Sequence, residues 1–110
     1  AKYTPKECEE LLASRVYTGY YLPLSKGISS FEYLPKDTQV ATVELAYNIG
    51  TGATIKGSVG RLLSAGHLKE ACDAFLLYNK GRIKGKLVEI KGLKLRRERE
   101  RELCLKGLDP

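Results

Sequence analysis

Apolar residues along the chain indicate a mainly helical protein. Over residues 38–49 they recur at nearly every angular position of a predicted helix: Val40, Ala41, Val43, Leu45, Ala46, Tyr47 and Ile49. A helix that is apolar around its circumference is typical of the centre of a domain. We therefore predict one buried central helix, Thr38–Ile49, capped by Asp37 and ended by Gly50. Thr51 and Gly52 would then form a tight turn.

Shorter amphipathic segments flank this predicted central helix. Thr4, Pro5 and Glu7 form a capping pattern that starts a helix. The predicted helices outside the centre are Thr4–Val16, Ser58–Ala65, Leu68–Tyr78 and Leu93–Leu105, the last closed by Gly107.

Two stretches lack a clear helical period. Residues 17–36 are rich in Pro, Gly, Ser and Tyr without a helical stripe, and we predict an irregular connector there. Arg82–Lys91 alternates weakly, which indicates either a short β-hairpin or a loop. The predicted fold is therefore mainly α, with helices arranged around one buried helix.

The length of 110 residues and the net charge of +6 limit the classes of function. A chain of this length builds one domain, residues 1–110. The sequence has no apolar run long enough to span a bilayer and no pattern typical of a signal peptide. The positive charge favours polyanionic partners, but aromatic and basic residues do not interleave as in a nucleic-acid interface, so we predict no specific nucleic-acid binding.

The three cysteines, Cys8, Cys72 and Cys104, include no C-x-x-C pair. This spacing argues against a zinc site, and we predict no metal. Free buried thiols in a reducing compartment are the first interpretation. A disulfide between two of them is the alternative, if the protein works outside the cytoplasm.

The end of the predicted central helix is the first candidate site. Gly52–Ser58 has the order Lys-Gly-Ser and follows a helix, whereas a nucleotide-binding phosphate loop needs Gly-Lys-Ser or Gly-Lys-Thr after a strand. We therefore predict no cofactor. In Tyr47–Ala53, Asn48 and two glycines expose a carboxamide and backbone amides, which can recognise sugar N-acetyl and hydroxyl groups. The alternative is an ordinary capped helix end.

Charged residues inside apolar patterns supply the other candidates. Glu44 is the one ionisable residue within the apolar stretch 40–47, and a buried acid can remain protonated as glycoside hydrolysis requires. The alternative places Glu44 at the helix rim or in an ion pair. Arg96, Arg97 and Glu100 lie between apolar positions of the last helix, where a buried arginine would need a carboxylate. An Arg96–Glu100 pair at i,i+4 could satisfy this need on the surface.

Three segments together resemble the phage-type lysozymes, the endolysins that cut peptidoglycan. They are Thr4–Leu12, Tyr47–Ala53 and Gly92–Glu100. The resemblance implies a lysozyme-like helical lobe in which Tyr47, Asn48, Thr51 and Ser58 contact the saccharide. It also implies that Arg96 or Arg97 orients the catalytic Glu.

In this family the catalytic Glu, Asp and Thr precede the segment that resembles Thr4–Leu12. The expectation is therefore a cleft-forming lobe that lacks the catalytic segment and does not hydrolyse the bond between N-acetylmuramic acid and N-acetylglucosamine alone. Its partners would be peptidoglycan and either the missing segment or another protein. The alternative is a non-enzymatic module that binds a protein partner or the wall. Such a protein would be made in the cytoplasm of a host bacterium and act in the periplasm or at the cell wall.

Overall fold

A computed structural model describes residues 15–109 and confirms the mainly helical fold. Six α-helices and one β-hairpin are present in this part of the chain. They are α1 (Leu22–Gly27), α2 (Lys36–Ile49), α3 (Thr51–Lys56), α4 (Ser58–Ser64), α5 (Leu68–Ala74), β1 (Lys80–Ile83), β2 (Lys86–Glu89) and α6 (Lys91–Leu108). The predicted helix Thr4–Val16 falls almost wholly outside the described residues.

The predicted connector over residues 17–36 is wrong in its first half. A π-helical turn, Tyr17–Tyr21, runs directly into α1, so Pro23 lies within a continuous helical path. The rings of Tyr17 and Tyr21 stack at a centroid distance of 5.4 Å. Burial of Leu24 on the next turn shows that the aromatic residues belong to a helical stripe that the Pro and Gly content obscured.

Helix α2 is the predicted central helix, and its bounds agree closely with the prediction. It begins at Lys36 without a side-chain cap, so the predicted Asp37 cap is wrong, and it ends at Gly50, whose φ of 95° suits glycine. Its buried face contains Thr38 and Thr42 beside three apolar residues. Tyr47 is 72% exposed, so one side of the helix remains open.

The elements after α2 follow the prediction except at Thr51. Residues Thr51 and Gly52 start helix α3 instead of a tight turn, and Thr54 Oγ1 donates a hydrogen bond of 2.8 Å to the Gly50 carbonyl. The predicted helix at Ser58 is confirmed as α4. Helix α5 is shorter than predicted, because its last turn tightens into a 3₁₀ turn at Phe75–Leu77.

Residues 80–89 form a β-hairpin, which is one of the two structures predicted for the weakly alternating segment Arg82–Lys91. Strands β1 and β2 pair antiparallel, with Ile83 opposite Lys86. The connecting residues Lys84 and Gly85 both have positive φ, 52° and 79°. Positive φ at both central residues is the signature of a two-residue type I′ turn.

Helix α6 packs along α2 and fixes the position of the central helix. Thr38 Oγ1 donates a hydrogen bond of 3.0 Å to the Cys104 carbonyl. Cys104 also forms a disulfide with Cys72 of α5, with a Cα–Cα distance of 5.6 Å. The first interpretation of these two cysteines as free thiols is therefore wrong; Cys8 lies outside the described residues.

The core lies between α1, α2, α4, α5 and α6. Its largest fully buried apolar side chains are Leu24, Ile28, Phe31, Leu45, Val59 and Phe75. Within residues 15–109, no helix is both long and apolar enough to cross a membrane.

Candidate functional site

A groove of about 570 Å³ runs between α2 and α6. Helical spacing explains which side chains reach it, since residues three and four apart share one face of a helix. Helix α2 supplies Val43, Glu44, Tyr47 and Asn48; helix α6 supplies Arg96, Arg99, Glu100 and Leu103; Val16 and Tyr20 close one end.

One of the groove residues, Glu100, belongs to a buried ion pair. Arg97 is fully buried, Glu100 is 4% exposed, and Arg97 Nη2 donates a hydrogen bond of 2.8 Å to Glu100 Oε2. The need of a buried arginine for a carboxylate is thus met at i,i+3. Arg96 is exposed and does not form the i,i+4 pair considered from the sequence.

Asn48 joins the two helices at this point. Its Oδ1 accepts a hydrogen bond of 2.5 Å from Arg97 Nη2 and a longer one of 3.4 Å from Arg96 Nη1. With Oδ1 occupied by the guanidinium groups, the Nδ2 amide is the part of the side chain left to donate outward. Asn48 therefore combines a structural role with an exposed donor.

The ion pair is not fully satisfied by the described residues. Arg97 Nε and Nη1 and Glu100 Oε1 are buried, and none has a hydrogen-bond partner within residues 15–109. An unpaired polar group in the interior is costly, so such atoms call for a further partner. The unused donors of Arg97 can accommodate an anionic oxygen.

Burial raises the pKa of the Glu100 carboxyl above its ordinary value. The hydrogen bond and positive charge of Arg97 act in the opposite direction, while the negative charge of Glu44 adds to the rise. Desolvation outweighs the effect of Arg97, because only one of the two carboxylate oxygens is paired. The groove therefore contains a carboxyl group that resists ionisation.

The predicted site residues fall into two groups. Tyr47, Asn48 and Arg96 line the groove, whereas Arg97 is buried behind this lining and contacts Asn48. Ser58 lines a separate hollow with Arg61 and Leu62, and Thr51 is the half-buried first residue of α3. The structure thus brings the arginines to Asn48 and Tyr47 but leaves Ser58 apart.

Glu44 is exposed on the groove wall, so the buried position considered for it is wrong. It makes no ion pair with a described residue, which leaves the rim position as its place in the fold. The sequence also gave no reason to choose Tyr20, whose ring lies 5.8 Å from that of Tyr47 at an angle of 50°. Its place in the helical stripe that follows Tyr17 is the signal that could have identified it.

A family model described as phage lysozyme matches residues 1–100. The chain belongs to the phage lysozyme family. The SAR-endolysin of Enterobacteria phage P21 is 32% identical over 107 residues, which cover 96% of this chain and 59% of that relative. The endolysin of Bacillus phage B103 is 42% identical over 67 residues, covering 61% of this chain and 24% of the relative.

Solved structures show the same fold. The endolysin from Escherichia coli O157:H7 phage FAHEc1 matches with a TM-score of 0.80 and 28% identity, covering 99% of this chain and 67% of that one. The muramidase domain of SpmX from Asticaccaulis excentricus matches with a TM-score of 0.77 and 22% identity, covering 100% of this chain and 71% of that one. At that identity the second likeness shows the fold alone. Together they confirm the lysozyme-like architecture predicted from the sequence.

Proposed function

We propose that this chain forms the helical lobe of a peptidoglycan-directed lysozyme of phage origin, with the groove between α2 and α6 as part of its saccharide cleft. The reaction is hydrolysis of the β-1,4 bond between N-acetylmuramic acid and N-acetylglucosamine. The observation that carries the proposal is the buried Arg97–Glu100 pair joined to Asn48, the residue next to the exposed Tyr47.

Tyr47 and Asn48 provide complementary contacts for a sugar ring. The Tyr47 ring is 72% exposed and leans against Tyr20, so it offers an apolar face on which a pyranose can pack. The Asn48 Nδ2 amide can donate a hydrogen bond to an N-acetyl carbonyl or a hydroxyl group. A few fixed polar groups beside an aromatic surface are typical of small-molecule sites.

Arg97 is the proposed holder of the catalytic acid. Glycoside hydrolysis uses one carboxyl group to protonate the leaving oxygen, and that group must be held in place. The unused Nε–H and Nη1–H donors of Arg97 can each donate one charge-assisted hydrogen bond to a carboxylate oxygen. We assign the acid to none of the described residues: Glu100 is already paired and Glu44 is exposed.

The disulfide supports a site of action outside the reducing cytoplasm. Cys72 and Cys104 are both fully buried and bonded, and such bonds persist in the periplasm or at cell surfaces. Peptidoglycan lies in the same compartment. We therefore propose synthesis in the cytoplasm of the bacterial host and action at the cell wall, in keeping with the endolysin relatives.

Co-sedimentation with purified peptidoglycan tests the groove. We expect Tyr47→Ala and Asn48→Ala each to weaken binding about tenfold, the equivalent of 1.4 kcal/mol and of the order of one lost polar or aromatic contact. Ser58→Ala is the matched control, because Ser58 lines a separate hollow, and it should bind like the parent. Equal losses for Ser58→Ala and Asn48→Ala would contradict the groove as the binding site.

Release of soluble fragments in the same assay tests the assignment of the acid. We expect the chain alone to bind the wall without releasing fragments, because no described carboxyl group is both buried and free of an arginine. Release by the parent that is lost in Glu44→Gln would instead identify Glu44 as the acid and overturn this assignment.

A further inference from the structure

Nearly all of the net charge of the chain is concentrated around the hairpin. Residues 80–94 contain six basic residues and one acidic residue, Glu89, so they carry a net +5 of the total +6. Glu89 is paired with Lys94 at 3.5 Å. The lysines at 80, 84 and 86 form no ion pair with a described residue, and their charges are therefore available to an anionic partner.

The tip of the hairpin adds apolar side chains to this charge. Residues 83–87 are all exposed, and they read Ile-Lys-Gly-Lys-Leu. Ile83 is 54% exposed and Leu87 is 60% exposed. Successive side chains on a strand alternate between its two faces, and residues paired across the hairpin share a face. Ile83 pairs with Lys86, and Leu87 pairs with residue 82, which precedes Ile83 in the chain. Ile83 and Leu87 therefore lie on opposite faces of the tip.

This combination distinguishes between two kinds of anionic partner. A hydrated polymer such as a nucleic acid or an acidic glycan would attract the lysines but would gain nothing from Ile83 and Leu87. A lipid surface offers phosphate groups to the lysines and an apolar layer immediately below them to the two aliphatic side chains. The pattern therefore favours a lipid surface.

We propose that the hairpin tip, residues 83–87, docks the protein on an anionic phospholipid bilayer. Ile83 and Leu87 enter the boundary between headgroups and acyl chains, and Lys84 and Lys86 contact the phosphate groups. No hairpin residue lines the groove between α2 and α6, so docking leaves the groove open. This interaction is additional to the proposed action on peptidoglycan and does not depend on it.

Tryptophan fluorescence tests insertion directly, because the natural chain contains no tryptophan. We expect the emission of Ile83→Trp to shift to shorter wavelength on addition of phosphatidylcholine vesicles that contain phosphatidylglycerol, and to remain unchanged with phosphatidylcholine alone. Tyr33→Trp is the matched control: Tyr33 is 82% exposed and lies outside the hairpin, so its emission should not change.

Vesicle co-sedimentation measures the contribution of each group. A lysine near an anionic leaflet contributes about fivefold to partitioning, so Lys84→Gln/Lys86→Gln should lower the partition coefficient at least tenfold. Ile83→Ser/Leu87→Ser should lower it by a similar factor, while the exposed control pair Lys26→Gln/Lys36→Gln should change it less than twofold.

Two results would overturn the proposal. One is equal partitioning by the hairpin variants and the control pair. The other is binding to polyglutamate as strong as binding to anionic vesicles, without a spectral shift of Ile83→Trp, which would indicate attraction to any polyanion.

Discussion

Replacing Arg97 with methionine is expected to lower the free energy of unfolding by about 3–5 kcal/mol at neutral pH. Removing the guanidinium leaves the Glu100 carboxylate buried without its partner and removes the donor to Asn48 Oδ1. Breaking one side of a buried pair costs far more than the pair contributes, because the remaining charge is uncompensated. Urea unfolding followed by circular dichroism measures the effect.

Two variants separate this explanation from a general loss of packing. Arg96→Met removes a neighbouring but exposed guanidinium and should change stability by no more than about 0.5 kcal/mol. Arg97→Met/Glu100→Met removes both charges and should recover most of the loss, since an apolar pair of similar volume can replace a buried ion pair. Equal effects of Arg96→Met and Arg97→Met would contradict the buried pair.

The same pair predicts the direction of the pH dependence. The folded state raises the pKa of Glu100 above 4.5, so it binds the proton more readily than the unfolded chain does. The stability contributed by this group is fully present below the unfolded pKa and is lost as pH rises through the higher folded pKa. In Arg97→Met the pKa of Glu100 rises further. The loss of unfolding free energy relative to the parent should therefore become smaller as pH falls from above the folded pKa toward the unfolded pKa.

Removing the Cys72–Cys104 disulfide is expected to lower the free energy of unfolding by about 2–4 kcal/mol. The bond joins α5 to α6 across a sequence separation of 32 residues, and closing such a loop restricts the unfolded chain. Urea unfolding is measured with and without reductant in a Cys8→Ser variant, in which Cys72 and Cys104 are the two remaining cysteines. Cys72→Ala/Cys104→Ala in this background should match the reduced protein.

The control for this prediction is the response of the double variant to reductant. The parent should lose stability on reduction, whereas Cys72→Ala/Cys104→Ala should show the same urea midpoint in both conditions. A parent midpoint that does not move on reduction would show that the two thiols are not bonded in solution.

Local sequence signals predict the helices better than the segment over residues 17–36, which precedes the central helix. Helix α2 was identified because its apolar residues and terminal Gly50 act within one segment. The π-helical turn at Tyr17–Tyr21 does not follow from the sequence, because Pro23 and the nearby glycines are typical helix breakers, yet the helical path continues through Pro23 into α1. Tertiary packing of Tyr21 and Leu24 outweighs those breaker signals.

The site was predicted in its parts but not in its assembly. Asn48 and Arg97 were each identified from the sequence, yet they are 49 residues apart, and only the packing of α2 on α6 brings them into contact. The choice between Arg96 and Arg97 as the partner of Glu100 depends on which side of α6 faces α2. The position of Ser58 depends on the direction of α3, which carries the chain from the end of α2 to a separate hollow.

The most direct test of the central claim is a titration of the isotope-labelled chain with a soluble peptidoglycan fragment, followed by amide chemical shifts. We predict the largest shifts at Tyr47, Asn48 and Arg96, on the two helices that form the groove, and no significant shift at Ser58 or Arg61. Shifts concentrated at Ser58 and Arg61, or absent from the groove at saturation, would contradict the assignment of this groove as the saccharide cleft.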